Sequence, residues 1–202
     1  MENWDLGYES GDLFKWDREI SDFNACVGTN GGPYTYTDYS RGYFFAARTV
    51  AEDVLQRRRN IDISIYPIFY LYRHAVELAL KGMINFLSYY YNHEDARAAG
   101  HDILKLWNET KKLVKKIDLL KEDKELITFL EKVFQDISRL DESAEVFRFP
   151  ESKGRELYLQ DQSHINILVL YQIMLKVENV FEYWFTYKFE LLLRDNNNTK
   201  TA

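Results

Sequence analysis

YPIFYLYRHAVELALKGMINFLSYYY, residues 66–91, decides how the rest of the chain has to be arranged. At about 100° of rotation per residue, Tyr70, Arg73, His74, Glu77, Lys81 and Asn85 fall within a sector roughly 120° wide. The remaining circumference is Ile68, Leu71, Ala75, Val76, Leu78, Ala79, Met83, Phe86 and Leu87, with Ile84 the one apolar residue inside the polar stripe. A helix that is apolar on most sides belongs in the core of a bundle. Its charged residues must then face a groove, a partner or one another, because unpaired buried charge is costly. The expected fold is therefore all-α, and the stripe is the first candidate site.

The chain around this helix fits one domain. Its 202 residues suffice for a full core, and an aromatic content of 16% predicts that many Tyr hydroxyls need partners. With 26 Lys and Arg against 32 Asp and Glu, the net charge of -6 argues against bulk nucleic-acid binding while leaving room for a local basic groove. A single cysteine, Cys26, excludes an internal disulfide and suits a reducing cytoplasm. The first residues, MENWDLGYESGD, lack the basic and apolar segments of a signal peptide. Ile165 to Leu193 is interrupted by Lys176, Glu178, Glu182, Lys188 and Glu190, so no membrane span is expected. These features predict a soluble cytoplasmic protein.

Working outward, residues 1–40 read as an irregular segment. Trp4, Phe14, Trp16 and Phe23 suggest that it packs on the bundle, and GTNGGPYTYTDYS from Gly28 reads as loop. The helical domain is expected over 41–194, and DNNNTKTA, 195–202, as a disordered tail. A first helix follows Ser40 and ends at Arg57, Arg58 and Arg59, whose charge suits a helix C-terminus. The second opens near Ser64, with Pro67 in its first turn. The third begins at His101-Asp102, the fourth covers about 122–140, and the fifth runs from a Ser163 cap through His164 to Arg194. That makes about five long helices. Between the last two, residues 141–160 form a small non-helical insert, in which VFRF and ELYL around PESKG suggest a hairpin.

Candidate chemistry gathers on the second helix. Arg73–Glu77 and Glu77–Lys81 are i,i+4 pairs that would stabilise the helix by a few tenths of a kcal/mol each, which accounts for three stripe residues without any function. His74 is left over, able to titrate near neutrality or simply to hydrogen-bond. His74 and Glu77 are spaced to share a metal ion, yet carboxylate-bridged bundles need a second Glu-x-x-His copy, and Arg73 and Lys81 would repel a cation. Neither a metal nor another cofactor is expected. No phosphate-cradling glycine loop, CxxC pair or nucleophile elbow occurs. Gly100-His101-Asp102-Ile103-Leu104 reads first as a loop and helix start, with Asp102 at the positive end. Arg148, between Phe147 and Phe149, either pairs with the stripe or meets a phosphate.

Taken together, AVELALKGMINFL followed by GHDILKLW resembles the HEPN superfamily. The likeness covers about Tyr66 to Asn108, with weaker support from DESAEVFRFP and the last helix. Glu77, Leu80 and Lys81 match that family's Ala-x-Glu-x-x-Leu-Lys pattern, and His101-Asp102 its His-Asp-Leu element. The resemblance implies a bundle that commonly dimerises, among whose relatives are metal-independent endoribonucleases and partners in prokaryotic toxin–antitoxin and anti-phage systems. Others are non-catalytic RNA-binding or scaffolding modules. Catalytic members carry Arg followed after four to six residues by His; here Arg97 precedes His101 by three intervening residues and Arg155 precedes His164 by eight.

Two functions follow as expectations. In the first, the chain binds or cleaves RNA in a toxin–antitoxin or defence system. His74, His101, Arg73 and Arg148 would then be catalytic, and Glu77, Lys81, Asp102 and His164 would bind or position. In the second it is a non-catalytic homodimer, joined through the fifth helix, that binds a protein or nucleotide. A cognate antitoxin or nucleotidyltransferase is the expected protein partner in the conflict-system case.

Overall fold

The computed structural model describes residue 14 and residues 16–91, 98–116 and 123–200, with side chains described as far as residue 194. Two compact units divide the chain, 1–34 and 35–202. Within the first, Asp17 Oδ1 accepts from the backbone amides of Glu19 and Ile20 and closes a turn before a single 3₁₀ turn, Ser21–Phe23. Trp4, one of the aromatics expected to pack there, lies outside the described residues.

The second unit is an all-α helical bundle. Its elements are α1 (Tyr36–Leu55), α2 (Ile61–Tyr90), α3 (Ile103–Val114), α4 (Lys124–Leu140), α5 (Ile167–Tyr183), a π-helical turn (Trp184–Lys188) and α6 (Phe189–Lys200). The central member is α2. Both α1 and α3 pack against it, α4 packs on α3, and α5 lies along α1 with edges on α2 and α4. Ile68, Ala75, Val76, Ala79, Leu80, Met83 and Leu87 of α2 are fully buried. At about 2 kcal/mol for each large apolar side chain removed from water, this helix anchors the domain. Gly82 permits a close approach of α1 to α2: a Cβ there would meet Thr37 Oγ1 at 2.9 Å. Deeper in, Trp107 meets Phe134 edge-on at 5.1 Å, and Phe134 stacks on Phe181 at 6.3 Å, tying α3, α4 and α5 together.

Several element boundaries differ from the sequence reading, each for a local reason. The first helix starts at Tyr36 rather than after Ser40, because Thr35 and Asp38 form a reciprocal capping box inside the stretch read as loop. The second starts at Ile61, where Asn60 accepts from the amides of Asp62 and Ile63, so Pro67 lies in the second turn instead of the first. The cap of the fifth is Asn166, not Ser163, whose hydroxyl faces the His164 ring instead. That helix is also interrupted by the π turn, where Phe189 N–H reaches back to Trp184 O.

The insert departs most from expectation. VFRF is a tight turn, with the amides of Arg148 and Phe149 both on Glu145 O, rather than a strand. What remains of the hairpin is one antiparallel bridge, Glu151 to Leu157. The backbone also stays helical to Lys200, through residues read as a disordered tail. Among the described residues, no helix is long and apolar enough to cross a membrane.

Candidate functional site

Glu77 is the node of the polar stripe. Buried at 1% exposure in the middle of α2, its Oε2 accepts from Arg73 Nη1 at 3.2 Å and its Oε1 from Lys81 Nζ at 2.8 Å. The i,i+4 spacing read from the sequence thus becomes two buried ion pairs. A third group arrives from another part of the chain: His101 Nδ1 lies 2.9 Å from the same Oε1. Burial works to raise the Glu77 carboxyl, but the hydrogen bonds from Lys81 and His101 outweigh it and hold the group below the ordinary carboxylate range.

Arg73 is as buried as its partner and spends its donors on holding loops. Nη2 donates to His101 O at 2.8 Å and to Glu142 O at 3.3 Å, while Nε donates to Asp141 O at 3.0 Å. Asp141 completes the clamp. Its Oδ1 accepts from the amides of Glu145 and Val146, and its buried Oδ2 lies 3.5 Å from Arg73 Nε. One guanidinium therefore fixes both the loop that carries His101 and the start of the insert that carries Arg148.

His101 is presented outward. Gly100, at φ +81°, takes the left-handed conformation that brings the chain round to it, and Asp102 then caps α3 by accepting from Lys105 N–H at 3.0 Å. The imidazole is 70% exposed although one nitrogen touches a buried carboxylate. An ionised carboxylate only accepts, so Nδ1 must carry the hydrogen, and the neutral ring keeps its lone pair at Nε2. A neutral imidazole held this way can accept a hydrogen bond or a proton at Nε2.

A chain of rings borders this node. His74 stacks on Tyr70 at 5.8 Å and receives Tyr43 of α1 edge-on at 4.5 Å. Burial lowers the pKa of His74 from its ordinary value and so favours the neutral ring. The Arg148 guanidinium stands over Tyr70 at 5.8 Å and over Phe149 at 5.1 Å, exposed to solvent. Arg73, His74, Glu77, Lys81 and His101 are therefore brought together, with Arg148 joined through Tyr70.

His164 sits elsewhere. It lines a cavity with Ile61, Asp62 and Tyr66 at the start of α2, and Tyr66 alone is about 16 Å of helix rise from Glu77. Arg97, the sequence neighbour that would have formed a motif with His101, lies outside the described residues.

Tyr43 is a site member that the sequence reading did not single out, and Asp141 entered it only within DESAEVFRFP, as part of a connecting segment. Tyr43 carries no local signal, since only the packing of α1 on α2 brings it to His74. Asp141 does carry one. An acid directly after a helix opposes the negative end of that helix, so its presence there points to a specific cation partner. No protein-family model, curated protein or solved structure matches this chain.

Proposed function

We propose that this chain is a HEPN-like RNA-binding module of a prokaryotic toxin–antitoxin or anti-phage system, with His101 as its acid–base group. The observation that carries the reading is an exposed imidazole whose Nδ1 is held on buried Glu77, bordered by the Tyr43–His74–Tyr70–Arg148 array. Partly buried rings with accessible edges beside an exposed cation suit unpaired bases and their phosphates. In a cleavage step, His101 Nε2 takes the proton of a ribose 2′-hydroxyl. The freed oxygen attacks the adjacent phosphorus, and the 5′-oxygen leaves with a proton returned by the imidazolium or by water. Arg148, over Tyr70, holds a neighbouring phosphate of the strand, while Glu77, Lys81 and Arg73 keep the imidazole in register.

The test incubates the full chain with unstructured RNA in the presence of a chelator. His101→Ala is expected to abolish cleavage and to cost about 1 kcal/mol of stability for the lost hydrogen bond to Glu77, with the helical fold kept. Cleavage surviving in a His74→Ala, His101→Ala double variant would overturn the catalytic assignment. A gene for an antitoxin or nucleotidyltransferase beside this one would favour the conflict-system setting.

A second reading, a non-catalytic homodimer that binds a protein or nucleotide, rests on a separate observation. Leu168, Val169 and Ile173 of α5 and Leu157 of the insert are exposed large apolar side chains, of the kind a second copy or a protein partner would cover.

A further inference from the structure

Beside Arg148, the insert and α2 enclose a cavity of about 290 Å³ lined by aromatic and aliphatic side chains. Phe147 is its best-anchored wall: buried at 5% exposure, it stacks on Phe69 at 4.0 Å. Tyr66, 6.2 Å from Phe147, and Phe149 are each about half exposed, and Val146, Pro150, Tyr158 and Leu159 complete the lining. Tyr158 Oη donates to Glu145 at 3.3 Å, which steadies its ring. The only charged side chain in the lining is Arg148, and it has no carboxylate partner among the described residues.

We infer that this cavity is a nucleotide subsite, taking an unpaired nucleobase between Tyr66 and Phe149 with its phosphate on Arg148. Flat apolar walls match the two faces of a base, and every base offers such a face. An unneutralised guanidinium between two rings is suited to a phosphate, because its fork of donors is free and its stacking holds it in place. The volume is at the lower edge of small-ligand pockets, which suits one base rather than a larger molecule. The cavity is also placed where a strand would need it. Tyr66, Tyr70 and His74 succeed one another at i,i+4 along α2, about 6 Å of rise apart, so a strand whose scissile phosphate lies at His101 runs along these rings toward the pocket. Past the shared wall of Tyr66 and Phe147, a second cavity of about 300 Å³ continues to Ser163 and His164 and gives the outgoing chain room and a polar lining. The polymer, though not the pocket, rests on the RNA reading given above.

The experiment uses the full chain with two probes, a short unstructured RNA carrying one 2-aminopurine and 2-aminopurine riboside monophosphate. Chelator is present, and His101→Ala serves as the parent so that nothing is cut. Quenching of the RNA probe is expected on binding. Arg148→Ala and Phe149→Ala, both exposed and so expected to melt like the parent, should each weaken binding at least about five-fold, the low end for one stacked base. RNA that binds without quenching, and equally well to both variants, overturns the subsite while leaving the RNA reading intact. Quenching of the monophosphate that depends on Phe149, with no RNA binding, keeps the subsite and removes the RNA reading. Binding of neither probe overturns both.

Discussion

At the residue scale, Glu77 carries the largest consequence for stability. It neutralises two buried cations, Arg73 and Lys81, and holds His101. Replacing it with Gln removes the charge and leaves its partners buried without it, which costs about 3 kcal/mol for a pair of this kind. We expect Glu77→Gln to lose about that much in urea denaturation at pH 7. The loss depends on pH, with a definite sign. Because the folded-state carboxyl is held below the ordinary value of 4.5, the folded protein binds fewer protons than the unfolded chain between the two pKa values. The Glu77 contribution is therefore complete above about pH 4.5 and vanishes as pH falls through the lowered value. The gap between parent and variant should close over that same range; a gap that stays constant down to pH 3 would show that the charge is not what matters. At this scale much of the node was legible, since Arg73, Glu77 and Lys81 lie at helical spacing. The fourfold clamp of Arg73 on His101, Asp141 and Glu142 was not, because three of its acceptors are backbone carbonyls, which no residue type announces.

At the element scale, helix caps govern how the site is presented. Asp102 ends the loop that carries His101 and starts α3. Burial works to raise its carboxyl, but the Lys105 amide and ammonium hold it below the usual range. Asp102→Ala is expected to cost about 1 kcal/mol in thermal or urea unfolding, and Asp102→Asn only a few tenths, since Asn also caps. Equal losses in the two would point to the Lys105 ion pair instead. Elements were legible wherever apolar periodicity ran long, as in α2 and α4. They were misread where two caps competed within a few residues. Ser163 and Asn166 both precede the last apolar run, and only the course of the backbone selects Asn166. Thr35-x-x-Asp38 was a readable start signal hidden in a Gly-rich stretch. VFRF has strand-like residues, yet Asp141 caps the turn around it with two amide hydrogen bonds, so local propensity lost to a tertiary clamp.

At the scale of the whole molecule, the open face of α5 separates the two functional readings. Val169 and Ile173 are exposed and apolar, and neither is part of the His101 region. If that face joins two copies, Val169→Asp with Ile173→Asp should halve the mass seen by light scattering and leave the melting profile of dilute protein little changed. A mass unaltered by the pair of charges would rule this face out as a seam. The sequence by itself determined the all-α bundle, the central place of α2 and the ion pairs along its stripe, because those follow from one periodicity repeated over many residues. Packing alone brings His101 onto Glu77 and Tyr43 onto His74, and leaves His164 at the start of α2, away from both. Such meetings depend on how helices far apart in the chain pack and where their loops turn, which local spacing does not encode.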